Sequence, residues 1–156
     1  MNTPFNFRLT KFPNEAEILR HEVREFLSDA LKDVPKETRA ETWYGADENF
    51  SRKVGQQGWI GLNWPKEHGG AGRSSMERYV ILEEMLTAGA PVGAHWISDR
   101  QSGPLIIRYG TEKHQKELLP GILKGESYFC IGMSEPDSGS DLAALRTKAE
   151  KKGDIY

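Results

Sequence analysis

The sequence predicts a mainly α-helical fold that changes to β-strands near its C-terminal end. Up to about residue 125, apolar residues recur at helical spacing and several segments start with capping residues. After residue 127 the pattern changes to a short apolar run, a turn-rich stretch and an alternating segment. Helices therefore come first and strands follow.

The composition is that of an ordinary globular domain. The chain has 156 residues, 37% hydrophobic and 28% charged, with a net charge of −2, which favours neither nucleic acid nor an anionic membrane as a partner. No apolar run approaches the roughly 20 residues that span a bilayer. Residues 1–14 lack the apolar core of a signal peptide, so we expect a cytoplasmic location. Cys130, the single cysteine, is expected in the core.

Two helices are predicted in the first third of the chain. The first starts near Asn14, which forms an N-x-x-E capping box with Glu17, and Pro35 ends that region. The second runs from about residue 46 to 57, with Gly58 as its stop. Each helix has one apolar face and therefore one buried side.

A glycine-rich stretch, residues 58–73, follows these helices and precedes a third. Such a loop can bind phosphate at a helix N-terminus, but Arg73 stands where a P-loop has lysine, and no strand leads into it. A structural connector is the better interpretation. Ser74 and Glu77 form a second capping box, for a helix over residues 75–87 whose successive apolar residues indicate central burial.

Further helical segments are predicted up to residue 125. One lies within residues 91–100, and another begins at Pro104 and stops at Gly110. Thr111 caps a helix through Leu119, and Pro120 begins the turn that follows.

The segment from Gly132 to Asp141 carries most of the functional information. A predicted strand, residues 128–133, ends in a stretch dense in hydroxyls and carboxylates, an arrangement that presents hydrogen-bond donors to a ligand. Gly139 allows φ > 0 and a close approach of the backbone, with a serine on each side. A solvated turn is the plain alternative. A calcium loop is disfavoured, because its third and twelfth positions are Gly139 and Lys148.

This segment, continued to Ala144, resembles the signature of the acyl-CoA dehydrogenase family of flavoproteins. The family pattern is a small residue, an aliphatic residue, Ser or Thr, Glu, two free positions, a small residue, Gly, Ser or Thr, Asp, and a small residue three further on. Every constrained position is met. Residues 109–126, with their Gly-Thr, Leu-Pro and Gly-Glu pairs, are also similar to the family, so the likeness covers roughly residues 58–156.

The resemblance implies an N-terminal up-and-down helical domain over residues 1–126 and the beginning of a β-barrel-like middle domain over residues 127–156, without the C-terminal helical domain. A return strand that has only begun at Tyr156 is not expected to be a natural domain end. The family uses FAD to convert an acyl-CoA thioester into the 2,3-enoyl-CoA and passes the electrons to an electron-transferring flavoprotein. The resemblance also implies a homodimer or homotetramer for the full-length protein.

The same resemblance assigns site residues one by one. Met133 and Ser134 lie against the flavin ring, with Ser134 replacing the commoner threonine, and Ser140 also reaches the acyl-CoA. The catalytic base is expected beyond Tyr156, so no catalytic residue is assigned here, and the isolated chain is expected to be inactive. Glu135 is given a structural role. Trp96 lies where relatives line the acyl pocket, with a core or interface position as the alternative, because a lone tryptophan more often has that role. The expected cofactor contacts are Ile131, Gly132, Met133, Ser134, Gly139 and Ser140.

Two other functions stay open on the residues alone. The same scaffold carries related flavin oxidases and monooxygenases, and a fold does not choose among chemistries. A helical interaction module without catalysis is the third hypothesis, favoured by the polar composition and the missing base.

Overall fold

The computed structural model describes residues 11–155. The expectations for residues 1–10 and for Tyr156 lie outside the described residues. The described part is mainly helical and has no β-sheet; its β-type pairing is confined to isolated bridges, Ala46 with Val92, Glu135 with Ser138 and Lys152 with Ile155. The helices are α1 (Asn14–Ala30), α2 (Lys36–Ala40), α3 (Glu48–Gln56), α4 (Ser75–Thr87), α5 (Gly93–Ile97), α6 (Gly103–Tyr109) and α7 (Glu112–Leu123).

Helix α1 begins where the sequence predicted, but its cap differs. Pro13 is the N-cap residue and no side chain caps the helix, so the expected box between Asn14 and Glu17 is wrong. Proline lacks an N–H but keeps its carbonyl, which accepts hydrogen bonds from the backbone N–H groups of Ala16 and Glu17 at 3.0 and 3.2 Å. Asn14 is therefore already inside the first turn, and Glu17 pairs with Arg20 at 3.1 Å.

The core lies between α1, α3, α4 and α7. Helix α1 packs against α4, and each presents an apolar face at helical spacing. The fully buried side chains include Leu19, Val23, Phe50, Val54, Leu62, Val80, Met85, Val92 and Ile122.

Helix α4 has the predicted bounds and capping box, but it is not buried all round. Tyr79 is 51% exposed, whereas Glu84 is 7% exposed. The Glu84 carboxylate accepts hydrogen bonds from Arg20 Nη1 at 2.5 Å and Arg24 Nε at 2.7 Å. Hydrogen bonds from Arg24, and then from Arg20, lower the pKa of Glu84 despite its burial. The α1–α4 interface is thus partly an ion-pair network.

The second helix and the glycine-rich connector agree with the sequence in outline. Helix α3 starts two residues later than expected, because the Asp47 side chain accepts from the Phe50 N–H at 2.8 Å, and Gly58 follows with φ +69°. In the connector, the Gly72 N–H donates to the Trp64 carbonyl at 3.0 Å. Arg73 N–H donates in the same way to Leu62. The loop binds its own backbone, which supports the structural interpretation.

Helices α5 and α6 are joined without a break by a π-helical turn, Ser98–Ser102. The sequence predicted a helix from Pro104 to Tyr109 with Gly110 as its stop, and α6 confirms it to within one residue, with Pro104 in its first turn. Proline cannot donate to the carbonyl four residues earlier, and the wider π turn accommodates the missing hydrogen bond while the rod continues. Gly103 has to be glycine here, since a Cβ would lie 2.1 Å from the Trp64 ring.

Helix α7 also passes through a proline. Thr111 caps it as predicted, in a box with His114, but the helix continues beyond Pro120 to Leu123. Proline costs one backbone hydrogen bond, and the burial of Leu119 and Ile122 on either side of it holds the last turn in place.

The predicted strand over residues 128–133 is not formed among the described residues, and the alternating segment 146–150 is not a strand either. A strand exists only through pairing with another strand, and these residues have no such partner. The turn expected at residues 151–154 is present, with Lys152 bridged to Ile155 and Gly153 at φ +65°. No helix among residues 11–155 is long and apolar enough to cross a bilayer.

Candidate functional site

The signature folds as a tight turn whose corner is set by proline. Glu135 and Ser138 exchange two backbone hydrogen bonds, of 2.9 and 3.1 Å, with Pro136 and Asp137 at the corner. Proline fixes φ at the second position of such a turn. The Ser138 side chain is 5% exposed, and its hydroxyl donates to the Ala144 carbonyl at 3.2 Å. The turn is therefore anchored to the residues that follow it.

Glu135 provides the second anchor. Its carboxylate accepts hydrogen bonds from the Arg146 N–H at 2.9 Å, from the Thr147 N–H at 2.7 Å and from the Thr147 hydroxyl. The hydrogen bond from the Thr147 side chain, followed by those from the two backbone N–H groups, lowers the pKa of Glu135. A carboxylate with three donors and a lowered pKa is suited to holding a loop closed, not to taking a proton from a substrate.

The expected cofactor residues lie on both sides of this anchored turn, and all six are exposed. Residues 131–134 lead into it without regular secondary structure, and Gly139 and Ser140 follow it. Within residues 11–155, the backbone N–H groups of residues 132–134 make no hydrogen bond, and neither do the hydroxyls of Ser134 and Ser140. The structure therefore presents a continuous set of free donors beside a rigid turn.

This donor set fits the polar edge of a flavin ring. The ring carries carbonyl oxygens and ring nitrogens that accept hydrogen bonds, and negative charge gathers there on reduction, where backbone N–H groups and a hydroxyl are stabilising. A Cβ added to Gly132 or Gly139 would meet nothing within 4 Å, so both sites are open to a ligand. Gly139 could adopt φ > 0 but does not do so, because the corner residues Pro136 and Asp137 already make the bend.

An aromatic groove of about 370 Å³ adjoins the first of these residues. The ring centroids of Trp43 and Tyr44 are 3.9 Å apart, and those of Trp43 and Trp96 are 5.9 Å apart. Thr42, at φ +55°, precedes this pair; a β-branched residue in the left-handed region is rare and strained. The groove is lined by Trp43, Tyr44, Gly93, Trp96, Ile97, Phe129, Cys130 and Ile131.

The groove corrects one sequence prediction and adds two residues that the sequence did not single out. Cys130, expected in the core, is exposed, because the run that contains it is not a paired strand. Trp43 and Tyr44 were not singled out from the sequence, and two adjacent aromatic residues in a short polar segment were the available signal. Trp96 lines the groove on one face and stacks with Arg100 at 4.5 Å. Among the described residues, no three His, Cys, Asp or Glu side chains are grouped to bind a metal ion.

Comparison with known proteins identifies the family of this chain. The family described as acyl-CoA dehydrogenase, N-terminal domain, matches residues 13–126, so the chain belongs to the acyl-CoA dehydrogenase family. Among its relatives is acyl-CoA dehydrogenase FadE26 of Mycobacterium tuberculosis, 36% identical over 154 residues, which cover 96% of this chain. The chain spans only 38% of the length of that relative. The predicted resemblance and the mainly helical fold are confirmed.

Two solved structures are similar over nearly the whole chain. That of the Tcur3481-Tcur3483 steroid ACAD has a TM-score of 0.81 and 38% identity, covering 92% of this chain and 38% of that one. The ChsE4-ChsE5 complex from Mycobacterium tuberculosis has a TM-score of 0.81 and 35% identity, covering 94% of this chain and 37% of that one.

Proposed function

We propose that this chain is the N-terminal portion of an FAD-dependent acyl-CoA dehydrogenase, which converts an acyl-CoA thioester into its 2,3-enoyl-CoA. The free donors at residues 132–134, held beside the anchored turn, are the observation that carries the proposal. Family membership supports the reaction class. The catalytic carboxylate, which removes the proton α to the thioester carbonyl, is supplied from beyond Tyr156.

In this proposal the residues of this chain position the flavin and the acyl-CoA and polarise the edge of the flavin ring. The Ser134 hydroxyl and the neighbouring N–H groups donate to the ring edge where negative charge develops. Glu135 and Ser138 keep that edge-binding segment in one conformation by bonding the residues after the turn. Ser140 donates to the acyl-CoA. When bound, FAD accepts the hydride from the substrate β carbon.

We propose a bulky, ring-bearing acyl group as the substrate. The groove beside Ile131 has four aromatic side chains, Trp43, Tyr44, Trp96 and Phe129. Flat aromatic walls favour flat, rigid ligands, which lose little conformational entropy on binding. The similarity to the Tcur3481-Tcur3483 steroid ACAD, at 38% identity, favours the same class.

Two partners belong to the proposal. An electron-transferring flavoprotein takes the electrons, as is general in the family. The full-length protein assembles as a homodimer or homotetramer; the ChsE4-ChsE5 complex, a structure with 35% identity, makes a complex of two different chains the alternative to be tested.

The isolated chain should not retain FAD. Two or three hydrogen bonds from the signature, each worth about 1 to 3 kcal/mol, fall short of the roughly 12 kcal/mol that nanomolar binding requires. Flavin retention after desalting, measured by visible absorbance, should therefore be absent from residues 1–156 and present in the complete gene product.

Substitution of Ser134 tests the site in the complete gene product. Ser134→Ala should raise the FAD dissociation constant about 3- to 10-fold, because one hydroxyl donor is lost. Ser134→Thr keeps the hydroxyl and should bind FAD like the parent protein. Ser75→Ala, on the exposed start of α4, is the matched control for losing a serine hydroxyl. Equal flavin affinity in all four proteins would favour the non-catalytic interaction module.

A turnover assay distinguishes a dehydrogenase from an oxidase and from a protein that only binds flavin. A flavin-loaded protein that oxidises neither linear nor ring-bearing acyl-CoA thioesters with an artificial electron acceptor is not a dehydrogenase. Rapid use of dioxygen as acceptor would identify an oxidase on the same scaffold. A kcat/KM at least tenfold higher for a steroid side-chain acyl-CoA than for a linear acyl-CoA would support the aromatic groove as the acyl site.

A further inference from the structure

A second, nearly closed cavity lies behind Trp96, between α4, the start of the glycine-rich connector and the π turn. Its volume is about 20 Å³. A water molecule needs about 10 to 15 Å³, so the space suits one small ligand. Hydrophobic side chains form most of the wall, and the polar residues that line it are Arg78, His95, Asp99 and Arg100.

Asp99 is the one carboxylate on this wall, and each of its two oxygens already accepts a hydrogen bond. It is 6% exposed. One of its oxygens accepts from the Gly61 N–H at 2.8 Å, and the other accepts from Arg78 Nη2 at 2.8 Å. Asp99 therefore neutralises Arg78.

Arg100 is half-buried and carries the second positive charge on this wall. Within residues 11–155 it makes no ion pair, and its guanidinium lies over the Trp96 ring at 4.5 Å. Arg100 Nη1 and Arg78 Nε are both buried without a hydrogen-bond partner among the described residues. A buried donor without an acceptor is costly, and a guanidinium cannot escape the cost by losing its proton.

His95, the other titratable residue on the wall, does not change the net charge of the cavity. Burial lowers the pKa of His95 to about 4, so its ring is neutral at pH 7. Its Nδ1 is hydrogen-bonded to the Ser51 hydroxyl at 2.8 Å. The cavity wall, with two arginines, one aspartate and a neutral histidine, thus carries a net charge of +1 in a largely apolar enclosure.

We propose that this cavity binds a small monovalent anion of about the size of chloride, with Arg100 Nη1 as its principal donor. One unneutralised charge calls for one negative charge, and the volume excludes sulfate and phosphate. The anion accepts hydrogen bonds from the free N–H groups and so offsets the cost of burying Arg100 Nη1 without a partner. This site is separate from the flavin-binding segment, and Trp96 lies between it and the groove proposed for the acyl group.

Bromide locates the site directly. Crystals of the 156-residue chain grown without halide and soaked in sodium bromide should show an anomalous peak within hydrogen-bond distance of Arg100 Nη1. Density there that refines as water, with bromide confined to the protein surface, would overturn the proposal. The measurement uses the unmodified chain and so does not depend on whether any variant folds.

Thermal unfolding gives the solution test. At constant ionic strength, replacing gluconate by bromide should raise Tm saturably, by about 3 to 6 °C at ten times the dissociation constant. Arg100→Met should abolish this dependence and be at least as stable as the parent chain in gluconate, because the unpaired charge is gone. Arg52→Met, which removes an arginine from the surface of α3, is the control and should keep the full bromide effect. An equal bromide effect in all three proteins contradicts the proposal.

Discussion

His95 should make the stability of this chain strongly dependent on pH between about 6.5 and 4. The side chain is buried and hydrogen-bonded to Ser51 Oγ at 2.8 Å. Burial lowers its pKa from 6.5 to about 4 in the folded chain. Because the unfolded chain takes up the proton first, stability is fully present above pH 6.5 and is lost as the pH falls toward 4.

The size of the effect follows from the two pKa values. Each pH unit between them costs about 1.4 kcal/mol, which gives about 3 kcal/mol over the whole interval. Between pH 7.5 and pH 5 the loss from His95 alone should be about 2 kcal/mol. The carboxylates of Glu84 and Glu135 have pKa values lowered from 4.5, so their contribution to stability is lost mainly below that pH and adds little to the change between pH 7.5 and pH 5.

Urea unfolding followed by circular dichroism at the two pH values measures this loss. His95→Asn is the informative variant, because its amide can still bond Ser51 but does not titrate. The variant should be less stable at pH 7.5 and lose at most a few tenths of a kcal/mol at pH 5. If it loses the same 2 kcal/mol as the parent chain, His95 is not the group responsible and the reasoning from its burial fails.

Two further substitutions test the fold. Ser74→Ala removes the cap of α4, where Ser74 Oγ accepts a hydrogen bond from the Glu77 N–H at 3.2 Å. The loss should lower the free energy of unfolding by about 1 kcal/mol, measured as a fall in Tm of about 2 to 4 °C. A fall below 1 °C would contradict the role of the capping box. Gly103→Ala places a Cβ 2.1 Å from the Trp64 ring and should lower the free energy of unfolding, measured with urea, by about 1 to 3 kcal/mol. Gly132→Ala is the control, because its added Cβ meets nothing within 4 Å and stability should not change. Equal effects of the two substitutions would refute the close approach at Gly103.

Local chemistry made much of the helical domain readable from the sequence. The box of Ser74 and Glu77, the cap at Thr111 and the stop at Gly58 depend on neighbours only a few residues away, so their signals are present in the chain itself. The signature is local in the same way, since Glu135 to Ser138 closes its own turn. Its match to a family pattern gave the functional class, although the residues that contact the cofactor remain proposals.

The sequence misled where distant contacts outweigh a local rule. Pro120 removes one helical hydrogen bond, but its buried neighbours Leu119 and Ile122 keep α7 continuous to Leu123. The segment around Cys130 has the composition of a strand and stays unpaired among the described residues, because a strand requires a partner that composition does not supply.

By itself the sequence determined the helical class, most helix starts and the family, because caps, periodicity and a contiguous signature are written in neighbouring residues. Only the tertiary structure decided which charges meet. It brought Asp99 to Arg78, set Trp43 beside Trp96, and left Arg100 without an ion-pair partner among residues 11–155. The partners in both pairs lie tens of residues apart in the chain, and their energies depend on distance and burial, which arise only when the helices pack.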